Sequence, residues 1–147
     1  MVIAVNKWDL VEKDHRTADA YTKALRERLR LYDYLPIVFV SALTRQRIFK
    51  VIDTAKTVYA EAQRRIQTSE LNDALLPEIT RFPPRARSGK ELKIKFITQV
   101  RSDPPIFAFF CNLPEQIEDN YRRFLENRLR EHYPFTGVPI SLVFKKK

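Results

Sequence analysis

A short polar segment that directly follows an apolar run carries the first candidate chemistry. Residues 1–5 are apolar and end at Asn6, Lys7, Trp8 and Asp9. An aspartate carboxylate can accept two hydrogen bonds from the N1–H and the exocyclic amine of guanine, a donor pair that adenine does not present. A lysine stem can lie along the purine ring, and an asparagine can bond its other side. The Asn–Lys–x–Asp spacing therefore predicts a guanine-binding loop, with an ordinary polar turn after a strand as the alternative.

A dense group of basic residues in the second half of the chain carries the other candidate chemistry. Residues 81–101 contain seven Lys and Arg against one acidic residue, Glu91. Such a surface can neutralise RNA phosphates, or it can dock an acidic protein surface. If the partner is RNA, recognition of its folded shape is favoured over reading of its sequence. A solvated basic face is the remaining alternative. A second basic cluster, Arg122, Arg123, Arg128 and Arg130, falls in a predicted helix further along the chain. The candidate binding residues from the two groups are Arg81, Arg85, Arg87, Lys90, Lys93, Lys95, Arg101, Arg122 and Arg123.

The elements that must position the first motif follow an α/β pattern. Residues 1–5 and 37–40 are apolar on both faces, which is typical of buried strands in a parallel sheet. Helical spacing of apolar residues runs through 16–31 and 48–66. Strand–helix–strand–helix is the repeating unit of a doubly wound α/β sheet, whose ligands bind after the strands. Two such units cannot cover both faces of their own sheet, so residues 1–66 are predicted to be part of a larger domain, with a small standalone unit as the alternative.

The second predicted domain, residues 67–147, has an α+β pattern. Thr68 and Ser69 are good N-cap residues for a helix, and Pro114 is predicted to open another. Leu92, Ile94, Phe96, Thr98 and Val100 alternate with mostly polar residues, which indicates a strand. The predicted order is helix 71–79, loop 81–90, strand 92–101, strand 106–111, helix 114–129 and strand 140–144, two helices on a three-stranded sheet.

The second strand of the first half ends in a motif that strengthens the guanine hypothesis. Ser41, Ala42 and Leu43 follow residues 37–40. Together with Asn6-Lys7-Trp8-Asp9, this segment resembles the fourth and fifth conserved motifs of translation-factor-type GTPases. The resemblance implies that the backbone N–H of Ala42 bonds guanine O6. It also implies a partial P-loop GTPase domain whose guanine-binding residues are Asn6, Lys7, Asp9, Ser41 and Ala42.

Further segments extend the resemblance over nearly the whole chain. Thr68-Ser69-Glu70-Leu71-Asn72, Pro104-Pro105, the segment Tyr121-Arg122-Arg123-Phe124-Leu125-Glu126-Asn127-Arg128 and Gly137-Val138-Pro139-Ile140 are similar to the C-terminal part of the double-Era-like GTPase family called Der or EngA. Arg45 departs from that pattern, because the family usually has glycine there.

The family resemblance carries several implications for function. It implies two GTPase domains followed by a KH-like domain, GTP or GDP with Mg²⁺ as cofactor of the full-length protein, and a role in assembly of the large (50S) ribosomal subunit. The implied partners are the large subunit, its rRNA and the other GTPase domain of the same protein.

Several features of a complete nucleotide site are absent from the sequence. A phosphate loop needs a G-x-x-x-x-G-K-[ST] motif, yet glycine occurs only at Gly89 and Gly137. The Mg²⁺-binding and switch segments, which lie upstream in the family, are absent as well. We therefore expect this chain alone to have no catalytic residue, no bound cofactor and no appreciable GTP binding or hydrolysis. The Gly-x-x-Gly clamp of RNA-binding KH modules is also absent.

Composition limits the remaining alternatives. The 147 residues include 27 Lys and Arg against 18 Asp and Glu, a net charge of +9 that favours a polyanionic partner. A single cysteine, Cys111, excludes an internal disulfide and suits a reducing compartment. His15 and His132 do not have metal-ligand spacing with it. The sequence lacks an apolar run long enough for a membrane span, so a cytoplasmic location without membrane partners is predicted.

Two functions therefore remain. The first is a fragment of a GTP-binding, GTP-hydrolysing ribosome biogenesis factor, carrying guanine recognition and a KH-like module that docks on RNA or on another domain. The second is a standalone basic RNA- or ribosome-binding module without nucleotide binding, in which the Asn–Lys–x–Asp motif is vestigial.

Overall fold

The computed structural model describes residues 1–12, 14, 16–86 and 88–147, and for Leu31 only the backbone. The chain divides into two compact units: unit 1 comprises Met1–Glu61 and Thr136–Val138, and unit 2 comprises Ala62–Phe135 and Pro139–Lys147. The predicted domain boundary at residues 66 and 67 stays a prediction.

Unit 1 contains a two-stranded parallel sheet with helices. Strands β1 (Ile3–Val5) and β2 (Ile37–Phe39) pair in parallel. Helices α1 (Thr17–Arg28) and α2 (Ile48–Gln63) follow the respective strands, in the predicted order. The predicted helices were too long at their C-termini, because a separate short 3-10 turn occupies Arg30–Tyr32 and α2 ends at Gln63.

Unit 1 leaves much apolar surface exposed. Ala4 in the middle of β1 is exposed, although its apolar run predicted a buried strand. On α2, the side chains of Phe49 and Tyr59 are 79% and 67% exposed, and Val58 is the one buried residue among the described side chains of that helix. A larger domain, as predicted for residues 1–66, would account for this exposed apolar surface; that domain stays a prediction.

Unit 2 has the predicted order of helix, two strands, helix and strand. Its elements are α3 (Thr68–Arg81), β3 (Ile94–Arg101), β4 (Ile106–Cys111), α4 (Asp119–His132) and β5 (Ser141–Lys146). The sheet order is β3-β4-β5, with β4 antiparallel to β3 and parallel to β5. Fully buried core side chains come from both helices and the central strand: Leu71, Leu75, Phe107, Phe109, Leu125 and Leu129.

Three local predictions for unit 2 were wrong. Gln67 is the N-cap of α3, so Thr68 is its first helical residue, and the Thr68 hydroxyl shares a 2.9 Å hydrogen bond with that of Thr98. Pro114 opens only a short 3-10 turn, Pro114–Gln116, because extended backbone at Ile117 separates it from α4. The even alternation along β3 is broken by two register shifts. Ile94 consequently packs with Cys111, whereas Phe96 stacks on Phe110 with ring centroids 4.3 Å apart.

In unit 2, two side-chain amides form hydrogen bonds with backbone N–H and carbonyl groups of other segments. Asn72 of α3 donates to the carbonyl of Ile97 at 2.7 Å and accepts from its N–H at 2.8 Å, along the outer side of β3. The buried Gln99 accepts from the N–H of Ile66 at 2.8 Å and donates to the carbonyl of Arg64 at 2.9 Å. The bonds of Asn72 satisfy backbone groups on an edge strand that would otherwise be open to pairing with another chain. The bonds of Gln99 connect β3 to the segment before α3.

Candidate functional site

The two predicted guanine-binding segments meet at one edge of the sheet in unit 1. Because β1 and β2 run in parallel, Val5 pairs with Phe39 and both strands end on the same side. The N–H of Ala42 donates a 3.1 Å hydrogen bond to Oδ1 of Asn6, and Trp8 N–H donates to the carbonyl of Val40 at 3.0 Å. The structure therefore places residues that are 36 positions apart in direct contact.

Trp8 anchors the first segment. Its side chain is only 3% exposed and packs on Phe39 at 4.3 Å and on Tyr21 at 5.5 Å between ring centroids. Its neighbour Lys7 adopts a left-handed backbone conformation with φ of 61°. As a result Asn6 and Lys7 are exposed and Asp9 is half-buried. The apolar residue in the middle of the motif thus fixes a loop whose polar side chains face outward.

A tight turn holds the second segment. Ser41 is fully buried, its N–H donates to the carbonyl of Gln46 at 3.2 Å, and its Oγ accepts from the N–H of Thr44 at 3.2 Å. Arg45, which departs from the family pattern, has a φ of 59°. Glycine adopts this left-handed region without a steric penalty, which explains why glycine suits the position.

The structure brings Asn6 and the N–H of Ala42 together at this edge of the sheet. Asn6 is exposed, whereas Asp9, three residues further along the same segment, is half-buried. The Ala42 N–H, which the resemblance assigns to guanine O6, is already bonded to Asn6, so that bond must open or be shared for the base to use it. Among the described residues, no group of three His, Cys, Asp or Glu could hold a metal ion.

The second candidate site is a basic groove in unit 2. The groove lies between the end of α3, the following loop and the start of β3, and has a volume of about 730 Å³. Apolar residues that include Ile79 and Leu92 line it together with Arg85, Lys90, Lys93 and Lys95. Lys93 pairs with Glu91 at 3.0 Å. The structure thus brings four of the nine predicted basic residues together.

Four of the other predicted basic residues lie outside the lining of the groove: Arg81, Arg101, Arg122 and Arg123. Arg101, at the other end of β3, donates through Nε to the carbonyl of Asp103 at 2.8 Å. On α4, Arg123 is exposed, and Arg122 lies over the ring of Phe144 at 4.6 Å. Arg87 lies outside the described residues.

Acidic neighbours on α4 partly neutralise the predicted second cluster. Arg122 pairs with Asp119 at 3.8 Å. Two further pairs lie in the same helix, Arg128 with Glu131 at 2.6 Å and Arg130 with Glu126 at 3.1 Å.

An aromatic pocket beside the groove was missed by the sequence analysis. Its volume is about 400 Å³, and it is lined by Arg81, Phe82, Pro83, Arg85, Tyr121 and Phe124. The Tyr121 hydroxyl donates to the carbonyl of Phe82 at 2.8 Å, and burial raises the pKa of Tyr121 to about 12. Phe82 falls in the predicted loop 81–90 and Tyr121 and Phe124 in the predicted helix 114–129, and the spacing along either segment does not show that they meet.

The single cysteine lies outside both candidate sites. Cys111 is fully buried, and burial raises the pKa of its thiol, which disfavours the reactive thiolate. Within the described part of the chain, every helix is too short or too polar to cross a membrane.

Comparisons with known proteins agree on one family. The family model described as "KH-domain-like of EngA bacterial GTPase enzymes, C-terminal" matches residues 65–145. A protein named GTPase Der from Chloroherpeton thalassium is 54% identical over 147 residues, which is 100% of this chain and 34% of that protein. Proteins of the same name from Christiangramia forsetii and Chlorobaculum tepidum are each 50% identical over the same shares. The chain spans about a third of the length of the curated relatives that it matches.

Proposed function

The chain belongs to the family of EngA bacterial GTPases with a KH-domain-like C-terminal domain, and on that premise we propose that it is part of a GTP-binding, GTP-hydrolysing ribosome biogenesis factor. The factor acts in the cytoplasm in assembly of the large ribosomal subunit. The relatives are named as GTPases, and the proposal extends that activity to the full-length protein to which this chain contributes. The contact between Asn6 and Ala42, which joins the two predicted guanine-binding segments, is the observation that supports it best.

In this proposal unit 1 reads the base. The Asp9 carboxylate accepts from N1–H and the exocyclic amine of guanine, a charge-assisted pair that adenine does not offer. The N–H of Ala42 donates to O6, Asn6 braces the two loops, and the stem of Lys7 lies along the ring. When Mg²⁺–GTP is bound, its phosphates and metal are held by segments outside this chain, because this sequence does not contain a phosphate loop.

Two titrations test the nucleotide part. We expect this chain alone not to bind GDP stoichiometrically at micromolar concentration, and saturable binding there would contradict that expectation. In the full-length protein we expect Asp9→Asn to weaken GDP binding by about a hundredfold, since a bidentate charged hydrogen bond contributes roughly 3 kcal/mol. Asp19→Asn on α1 removes the same charge away from the loops and is the matched control. Equal affinities of the two variants would refute the assignment of Asp9.

In the same proposal unit 2 contacts ribosomal RNA. The basic groove combines a positive rim with a concave shape, which suits contact with phosphates more than base reading. The alternative, docking on an acidic face of another GTPase domain of the full-length protein, uses the same charges and is separated from RNA binding by experiment.

Cosedimentation of the chain with large ribosomal subunits over a salt series tests the RNA part. We expect binding to weaken steeply with salt. The double variant Lys90→Gln, Lys95→Gln should lower the log–log salt slope by about 1.5, since each lost phosphate contact accounts for roughly 0.7–0.9. The control is Lys23→Gln, Lys50→Gln, which removes the same charge from unit 1. Absence of binding at low salt would exclude RNA contact and favour docking between domains.

A further inference from the structure

The aromatic pocket in unit 2 presents a flat ring that is exposed and yet firmly held. Phe82 is 48% exposed. Its backbone is bonded on both sides, since its N–H donates to the carbonyl of Glu78 at 3.0 Å and its carbonyl accepts from the Tyr121 hydroxyl at 2.8 Å. The backbone that carries the exposed ring is therefore held in place, and a position held in this way loses little backbone entropy on binding.

Neighbouring rings shape the pocket around Phe82. The ring of Phe124 meets it nearly edge-on, with centroids 5.9 Å apart and an interplanar angle of 72°. Tyr121 lies against Phe124 at 5.3 Å. The arrangement leaves a cleft of about 400 Å³ beside the ring of Phe82. Clefts of this size and lining accept a small planar group.

The charges at the pocket are all positive. Of the six residues that line it, two are arginines and none is acidic. The Arg81 guanidinium lies over the Phe82 ring at 5.3 Å from its centroid. Arg85 lines both this pocket and the basic groove, which makes the two surfaces continuous. Exposed aromatic rings beside arginines are the combination with which proteins bind single-stranded nucleic acid, by stacking and by phosphate contacts.

We propose that the aromatic pocket binds an unpaired RNA base, stacked on Phe82, while Arg81 and Arg85 contact the adjoining phosphates. The inference rests on the proposed RNA-binding function of unit 2 and adds to it the class of RNA: a strand with at least one accessible base. An acidic peptide would satisfy the arginines but leave the rings without a planar partner, which is why RNA is favoured.

Fluorescence anisotropy with the whole chain tests the inference. The probes are a short labelled oligouridylate and an abasic oligonucleotide of the same length and charge. We expect the oligouridylate to bind more tightly than the abasic probe. Phe82→Ala should weaken its binding by about tenfold, the typical effect of removing one stacked ring, and should leave binding of the abasic probe unchanged. Phe82→Tyr retains a stacking surface and should bind like the unchanged protein.

Phe49→Ala is the matched control. Phe49 is 79% exposed on α2 in unit 1 and lies outside the pocket, so this variant should bind both probes normally. Circular dichroism and urea unfolding of each variant establish that it is folded.

The results separate the two proposals. Equal, salt-sensitive binding of both probes would overturn the stacking inference and leave RNA binding by unit 2 intact. Failure of both probes to bind at low salt would overturn the stacking inference; it would overturn the RNA-binding function of unit 2 as well only if cosedimentation with large ribosomal subunits also failed. Displacement of the oligouridylate by polyglutamate, with Phe82→Ala lowering the affinity for both equally, would assign the pocket to acidic peptides and overturn the inference.

Discussion

The amide of Asn72 offers a quantitative test of how unit 2 protects its edge strand. Asn72→Ala removes two hydrogen bonds, of 2.7 and 2.8 Å, to the backbone of Ile97, whose side chain is fully buried. Without the Asn72 amide, the partly buried N–H and carbonyl of Ile97 lose these two hydrogen bonds. Each such group costs about 1–3 kcal/mol, less where water can reach it, so we expect a loss of about 2 kcal/mol in the free energy of unfolding.

Helix propensity must be separated from this loss. Alanine is a better helix former than asparagine by roughly 0.6 kcal/mol, which partly offsets the destabilisation. Asn127→Ala is the matched control, since Asn127 lies at an exposed position of α4 and gains the same propensity. Urea unfolding followed by far-ultraviolet circular dichroism measures both variants. We expect Asn72→Ala to be less stable than Asn127→Ala by more than 1.5 kcal/mol, and equal stabilities would refute the role assigned to Asn72.

Three further results are expected from single groups. Burial raises the pKa of Tyr121 from 10 to about 12, so the folded state holds the hydroxyl proton more tightly than the unfolded state. The stability that this proton contributes is therefore complete below pH 10 and is lost between pH 10 and 12. The difference in unfolding free energy between the unchanged protein and Tyr121→Phe, measured by urea unfolding, should shrink over that range. Arg45→Gly should stabilise unit 1 by about 0.5–1 kcal/mol through relief of the left-handed conformation, whereas Arg45→Ala should not, as thermal unfolding can show. The Cys111 thiol should resist a thiol reagent such as Ellman's reagent in native protein at pH 8 and react in urea, since it is fully buried with a raised pKa.

Element type and order followed from the sequence because apolar periodicity is a local property. The strand at Ile106–Cys111 was predicted to the residue, since its apolar run is bounded by Pro104-Pro105 and by Asn112. The parallel arrangement of β1 and β2 was likewise visible in two apolar runs separated by a helix.

Features that depend on tertiary partners could not be read in the same way. The register shifts in β3 arise from its pairing with β4. Ile94 and Phe96 alternate regularly in the sequence, yet because of the shift between them they pack against different neighbours. The carbonyl of Phe82 is bonded by the Tyr121 hydroxyl, although 39 positions separate the two residues. Basic residues near one another in sequence were grouped together, yet Arg101 is at the opposite end of β3 from the groove.

The two units differ in how far their own residues bond the edges of their sheets and bury their apolar side chains. In unit 2 the outer side of β3 is bonded by Asn72, and the core side chains of both helices are fully buried. In unit 1 the described strands form a sheet of only two, with Ala4 exposed and Phe49 open to solvent. Base recognition needs the loops after β1 and β2 to be held rigidly, since their binding energy is small once the phosphates are held elsewhere. If unit 1 binds a base as proposed, we expect the Asn6–Ala42 contact to have its full effect only when further strands cover unit 1, whereas the groove and the aromatic pocket are built only from elements of unit 2.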